Sequence, residues 1–384
     1  MEGQVTVALG TLRRFANDAL LAPTRRGERR LKVVPGVGTL SAVSAPSPVS
    51  LVPVKDEPGR IRVMGTMPLY LSRGPLNASI ADFADLGRVV ARYDAVADLV
   101  VRDERGGWRV QTLAVDALPP EITLGSLPAG LEPAVAEAAT ALLKGLVAKE
   151  AADALQGLIL ARIAPWPGVD GPAALGAVEA RMDGALLRIG LRPRGPLGTG
   201  LDRGHRALDP GAGHDATVGI SPAWITALAA AGQPEALARH DGVDYRVTST
   251  LQGPAPTARV HARRTSGCGW VEVEQGLKVG RTGKRWGIAP RGEATVLERG
   301  GDDRRGDDSI ARAVAEAAAR RLDDRLQHPL FTAPDGRMLQ AQIVRYEGGA
   351  VLFDGTMAQA PGGLRVPPPS APPPPAHQAT PSTR

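Results

Sequence analysis

Six histidines and one cysteine make up the chain's whole supply of imidazole bases and thiol nucleophiles. His205, His214, His240, His261, His328 and His377 show none of the short, regular spacings that bring ligands round a metal. His214-Asp215 and His240-Asp241 therefore read as loop residues rather than site pairs. Cys268 lies in the turn-like run Ser266-Gly267-Cys268-Gly269, and no base stands near it to generate a thiolate. The Gly-rich stretch from Gly195 to Gly204 lacks the Lys-Ser/Thr ending of a phosphate loop and the spacing of a dinucleotide fingerprint. Asp302, Asp303, Asp307 and Asp308 crowd the approach to a helix. Negative charge there suits the exposed N–H groups of a helix start, which accounts for them without calcium. The expectation is a protein with no catalytic residue, no metal and no cofactor.

Cations are more abundant. Arg25, Arg26, Arg29, Arg30 and Lys32 form the densest basic cluster, and Lys278, Arg281, Lys284 and Arg285 surround a hairpin tip next to Trp286. Of these, Arg25, Arg26, Arg29, Arg30, Lys284, Arg285 and Trp286 are candidates for contact with an anionic surface, the indole sitting at the headgroup level. The net charge of +6 over 384 residues is a mild excess, and an aromatic fraction of 3% leaves few rings for base stacking. A nucleic-acid partner is not expected. Two charge-poor stretches, 33–54 and 216–234, are broken by Pro35, Pro46, Pro48 and Pro53 and by Pro222, Gly232 and Gln233. Neither provides the roughly 20 apolar residues of a membrane span, so the sequence predicts a soluble chain.

The elements that hold these residues follow from periodicity. Val5 to Leu9 reads as a strand, and Leu12, Phe15, Ala16, Ala19 and Leu20 recur at helical spacing directly after it. The same order returns at Ala216 to Ile220, followed by Ser221-Pro222 as a helix start and by Trp224, Ile225 and Leu228. Strand candidates in the first half are 38–43, 49–54, 60–71, 97–102 and 108–115, with 80–91 ambiguous. In the second half they are 245–251, 258–264, 270–279, 285–288 and 293–298. A long apolar helix is predicted from Pro133 to about Ile163, and a shorter one from Ser309 to about Leu330. Closing strands are read at 185–191, 342–346 and 350–353.

The two long helices contain the same six letters, Ala134 to Ala139 and Ala313 to Ala318. Further pairs keep the same order: Ile61-Arg62-Val63 with Tyr245-Arg246-Val247, Trp108 with Trp286, and Gly184 to Leu187 with Gly349 to Leu352. Conserved order is what chance matches do not keep, so the pattern suggests an ancient duplication. The expected fold is α+β, in two tandem pseudo-symmetric units, each a curved antiparallel sheet wrapped around a long apolar helix. Residues 1–194 form the first unit, 195–214 a linker, 215–360 the second unit and 361–384 a disordered Pro-rich tail.

The strand-into-helix openings at Val5 to Phe15 and at Val218 to Leu228, present twice, resemble the tubular lipid-binding (TULIP) superfamily of tandem barrels, similar to bactericidal permeability-increasing protein and bacterial envelope relatives. The resemblance covers about residues 5–192 and 216–357. It implies a hydrophobic tunnel between helix and sheet, binding or transfer of lipid or another long apolar ligand, and a place in the cell envelope. Leu142, Leu146, Leu155, Leu158, Ile159, Trp224, Leu228 and Leu322 are the candidate lining, although the same residues equally describe an ordinary packed core. Cys268 has no partner for the disulfide some members carry. The start MEGQVTVALG has no secretory signal, so a periplasmic place requires an upstream leader and the chain is otherwise cytoplasmic. Two alternatives stay open: a structural or interaction protein of the envelope with solid cores, and a hydrolase whose residues are too scattered to recognise.

Overall fold

A computed structural model of the chain describes residues 2–21, 28–30, 40–44, 47–73, 88–104, 106–123, 133–197, 209–231, 236–252, 257–282, 285–304, 307–326, 330–347 and 350–359. Strand β1 (Gly3–Ala8) runs without a loop into helix α1 (Leu9–Leu20). Then come β2 (Glu28–Arg30), β3 (Leu40–Ser44), β4 (Val49–Pro53), β5 (Arg60–Arg73), β6 (Arg88–Glu104), β7 (Gly107–Ala117) and β8 (Glu121–Thr123). Helix α2 (Pro133–Leu155) is followed by β9 (Ile159–Ile163), β10 (Leu175–Asp183) and β11 (Leu186–Pro193). The second half opens with β12 (Ala216–Ile220) and α3 (Pro222–Ala230), and continues through β13 (Ala236–His240), β14 (Val243–Gln252), β15 (Thr257–Arg264), β16 (Trp270–Thr282) and β17 (Arg285–Gly300). It closes with α4 (Ser309–Leu326), β18 (Phe331–Thr332), β19 (Met338–Glu347) and β20 (Ala350–Ala358).

The expected α+β class is corrected: the chain is predominantly β, with twenty strands against four α-helices among the described residues. Nor is there one separate sheet per half. One antiparallel sheet of 15 strands carries β10-β11-β1-β12-β20-β19-β18-β9-β7-β6-β5-β3-β2, with β4 and β8 as side branches, and only β13 to β17 form a sheet of their own. The two opening strands lie side by side, Val5 opposite Val218 and Thr6 opposite Thr217. Each is flanked by the closing strand of its own half, Val5 opposite Ile189 and Val218 opposite Phe353. The sheet also curls back on itself, since the Met182 N–H of its edge strand β10 donates to the Pro58 carbonyl at 2.6 Å.

The long apolar helix read from Pro133 to Ile163 is corrected as well, because α2 stops at Leu155 and Ile159 already begins β9. Gly157 turns the chain with φ +73°, a conformation open to glycine. Thr112 of β7 holds the end, its hydroxyl donating to the Leu155 carbonyl and its own carbonyl accepting from the Gly157 N–H at 2.8 Å. No helix is long and apolar enough to cross a membrane among the described residues.

Shorter elements follow their sequence signals closely. Ser221 caps α3, its Oγ accepting from the Trp224 N–H at 3.1 Å, and Pro222 fills the first turn. Leu12, Phe15, Ala16 and Leu20 are the buried face of α1. The 97–102 and 108–115 candidates form the β6–β7 hairpin, while 285–288 and 293–298 join into the single strand β17. The ambiguous 80–91 stretch lies outside the described residues up to 87 and enters β6 at Arg88. Most of the linker and the tail from 361 also lie outside them.

Helix α2 packs on β6, β7 and β8, and α4 fills the concave face of β13 to β17. Ile310, Ala311, Val314, Ala317, Ala318 and Leu322 are buried on α4. Small side chains let the helix sit close to the strands, which suits a chain poor in aromatics. Each fully buried Leu or Val contributes about 1.5–3 kcal/mol.

Candidate ligand cavity

Helix α3 is the fixed point of the site. Its Trp224 is wholly buried, donates Nε1–H to the Ala173 carbonyl at 2.8 Å, and meets Trp166 edge to face at 5.3 Å. The neighbouring Ile225 faces a cavity of about 510 Å³. Strand β14 brings Leu251, whose N–H donates to the Thr226 hydroxyl of α3 at 3.0 Å, so helix and strand are tied where the cavity begins.

Strands β16 and β17 supply Leu277, Lys278, Ile288 and Arg291. Their ladder slips between Glu274 and Gly276. Gln275, 2% exposed, mends the slip by donating Nε2–H to the carbonyls of Gly276 at 2.8 Å and Arg291 at 2.9 Å. The N–H of Ile288 donates to Asp323 Oδ1 of α4 at 2.8 Å, which pins the wall to the helix behind it.

Strands β19 and β20 complete the lining with Val344, Arg345, Tyr346 and Val351. Three consecutive residues of β19 reach the cavity because it lies along that strand's edge. On this side β19 is paired with β18 only at Met338 opposite Thr332. Its counterpart β17 is the last strand of the smaller sheet. The cavity therefore occupies a seam where two sheets meet without a ladder between them.

Six aliphatic side chains, three cations and one phenol line this space, with no carboxylate among the lining residues. Arg345 donates Nε–H to Asp354 Oδ2 at 2.9 Å and also pairs with Glu347. Burial works against its charge, but the hydrogen bond and charge of Asp354 and the charge of Glu347 outweigh it and hold the guanidinium pKa above its ordinary value. Asp354 is buried and accepts from the Thr217 hydroxyl on β12, so Arg345 is joined to the central sheet. The side chains of Lys278 and Arg291 are exposed and enter no ion pair among the described residues.

The residues read from the sequence as lining are placed by the structure as follows. Leu155, Leu158, Trp224, Leu228 and Leu322 are buried core side chains, while Leu146 and Ile159 are half-buried. Leu142 belongs to α2 and its side chain lies outside the described residues. None of the seven whose side chains are described lines this cavity, nor does any described residue of α4. Ile225, Leu251, Leu277, Ile288, Val344 and Val351 take that place, and no local signal distinguishes them from core.

Of the basic cluster, Arg25, Arg26 and Lys284 lie outside the described residues. Arg29 and Arg30 stand on β2, and Arg285 and Trp286 open β17, with side chains likewise undescribed.

A second polar group stands at the far end of the smaller sheet. Asp303, 6% exposed, accepts on Oδ1 from the Tyr245 hydroxyl at 2.8 Å and from Arg264 Nε at 2.8 Å. Burial, then the hydrogen bond and charge of Asp303, raise the Tyr245 pKa. This group fastens the β15–β16 turn to the approach of α4, and the exposed Cys268 of that turn donates its N–H to Asp302 at 3.0 Å. Asp307 accepts from Ser309 at the start of α4, and Asp308 pairs with Arg299. No group of three or more His, Cys, Asp or Glu able to hold a metal ion occurs among the described residues.

No protein-family model and no curated protein matches the chain. Solved structures do: P47 of Clostridium botulinum E1, with a TM-score of 0.43 and 8% identity, covers 93% of this chain and 99% of that one. P47 from Clostridium botulinum A2 has a TM-score of 0.42 and 8% identity over 92% of this chain and 97% of that one. A lipopolysaccharide binding protein has a TM-score of 0.35 and 10% identity over 94% of this chain and 99% of that one.

Proposed function

We propose that the chain binds a lipid or another long apolar molecule in the seam cavity, as a carrier rather than an enzyme. The observation that supports this reading is the lining itself, six aliphatic walls from Ile225 to Val351 with the polar groups confined to Lys278, Arg291, Arg345 and Tyr346. A volume of about 510 Å³ falls within the roughly 300–1,000 Å³ of small-molecule pockets. Each methylene moved from water into such a wall contributes about 0.8 kcal/mol. A slot between β17 and the side of β19 that lacks a ladder supports transfer as well as binding, since a ligand there leaves without breaking a ladder.

The test is purification of the full chain without detergent, followed by native mass spectrometry, organic extraction and titration with an apolar fluorescent probe. Bound lipid at fixed stoichiometry, or saturable probe uptake, is expected. Ile288→Trp, which fills the cavity from a half-buried position, should abolish the uptake while the far-ultraviolet spectrum stays unchanged. A clean apoprotein that also refuses added probe would remove the carrier reading and leave a scaffold with solid cores.

A further inference from the structure

The seam cavity, on the reading just given, has a chemical polarity that narrows its ligand. Ten residues line it, three of them cationic and none a carboxylate. Charge of one sign beside an apolar space attracts a ligand of the opposite sign and gives a neutral chain nothing. Arg345 is engaged by Asp354 and Glu347. Among the described residues Lys278 and Arg291 enter no ion pair: both are exposed, on adjacent strands, near the register where Gly276 faces Arg291 and Lys278 faces Ala289. Their charges are left for something that arrives from solution.

The dimensions narrow the ligand further. The cavity lies along one edge of β19, opposite β17, and its aliphatic residues come from single positions on six elements rather than from a broad face. Such a slot follows one chain.

From this we infer that the ligand is an amphiphile with one long aliphatic chain and an anionic head, the chain lying between Ile225, Leu251, Leu277, Ile288, Val344 and Val351 and the head meeting Lys278 and Arg291. Carboxylate and phosphate heads share this chemistry. Tyr346, half-buried in the lining, adds a hydroxyl able to donate to either.

Competition against the bound apolar probe tests the inference on the 384-residue chain. Palmitate, palmitoyl lysophosphatidate, hexadecanol and dipalmitoyl phosphatidate are titrated separately below their aggregation limits, at low and at high salt. The two single-chain anions should displace the probe at about tenfold lower concentration than the alcohol, and salt should narrow that gap because the cations are exposed. The relative rank of palmitate and lysophosphatidate tells carboxylate from phosphate.

The double variant Lys278→Gln with Arg291→Gln should bring the ratio of alcohol to anion displacement from about tenfold to about one, read as a ratio within the variant whatever its overall uptake. Equal displacement by alcohol and acid, tighter binding of the two-chain lipid, or a preference that survives the double variant would each overturn the inference while leaving an apolar site standing. A protein that takes up no probe overturns the carrier reading and this one with it.

Discussion

Glycine at position 3 determines how closely β1 approaches Trp224. A Cβ built there would stand 2.7 Å from Trp224 Cζ3, with the Gly219 carbonyl also close at 3.4 Å. The indole cannot retreat, being held by Ala173 and packed on Trp166. Gly3→Ala should therefore cost roughly 1–3 kcal/mol through overpacking. Gly10, on α1, has nothing within 4 Å of such a Cβ, so Gly10→Ala should be neutral or gain a few tenths of a kcal/mol. Urea denaturation of the two variants measures the contrast, and equal stabilities would show that Trp224 moves aside. A second prediction rests on Tyr93, whose burial pushes the phenol from 10.0 up to about 12. The raised value means that the folded state keeps its proton after the unfolded chain has lost one. Stability is therefore fully present below pH 10 and is lost as pH rises through about 12, by an amount on the order of a few kcal/mol at most. Thermal melts of wild type and Tyr93→Phe across that window should show the variant losing less; identical slopes would remove Tyr93 from the alkaline transition.

Among the elements, the β16–β17 pair carries the most informative one, the slip at Gln275. Its amide satisfies carbonyls that the irregular ladder leaves over, and a buried acceptor stripped of its donor costs about 1–3 kcal/mol. Gln275→Leu keeps the bulk and removes the donor. It should lower stability by that amount and weaken probe uptake, because Leu277 and Arg291 flank the slip; unchanged uptake would mean that the wall does not depend on the bulge. In the letters the signal is slight: Gln275 stands on the face that Val271, Val273, Leu277 and Val279 make apolar, with Gly276 beside it. The hairpins, the start of α3 and the buried face of α1 were legible because each is specified by neighbours within a few positions. The end of α2 was not. Leu155, Leu158 and Ile159 keep helical spacing across the break, and Thr112, which secures it, lies 43 positions away. The lining residues escaped for the same reason: they become neighbours only when β17, the last strand of one sheet, faces the side of β19 that β18 pairs only at Met338. The cations Lys278 and Arg345 were visible as charges, but not as charges around one space.

At the scale of the whole molecule, the sharing of one sheet decides how the halves behave. In the order β11-β1-β12-β20 each opening strand lies between the other opening strand and the closing strand of its own half. Across the junction the Ser221 N–H donates to the Glu2 carbonyl at 2.8 Å, and Thr11 of α1 donates to Asp215 at 3.0 Å. Phe331 of β18 also faces Ile163 of β9, so the halves are stitched at a second place. Separating them would bare the edges of β1 and β12, rows of backbone donors and acceptors buried by one another. The full chain should accordingly unfold in a single transition, with circular dichroism and tryptophan fluorescence superimposing along a urea titration. Residues 1–197 or 209–359 expressed alone should aggregate or pair through the bared strand, and mixing the two should restore a soluble complex. Two resolved transitions in the full chain, or a monomeric and cooperatively folded half, would mean that the β1–β12 ladder joins two domains that are each already stable, and that the seam cavity belongs to the second of them alone.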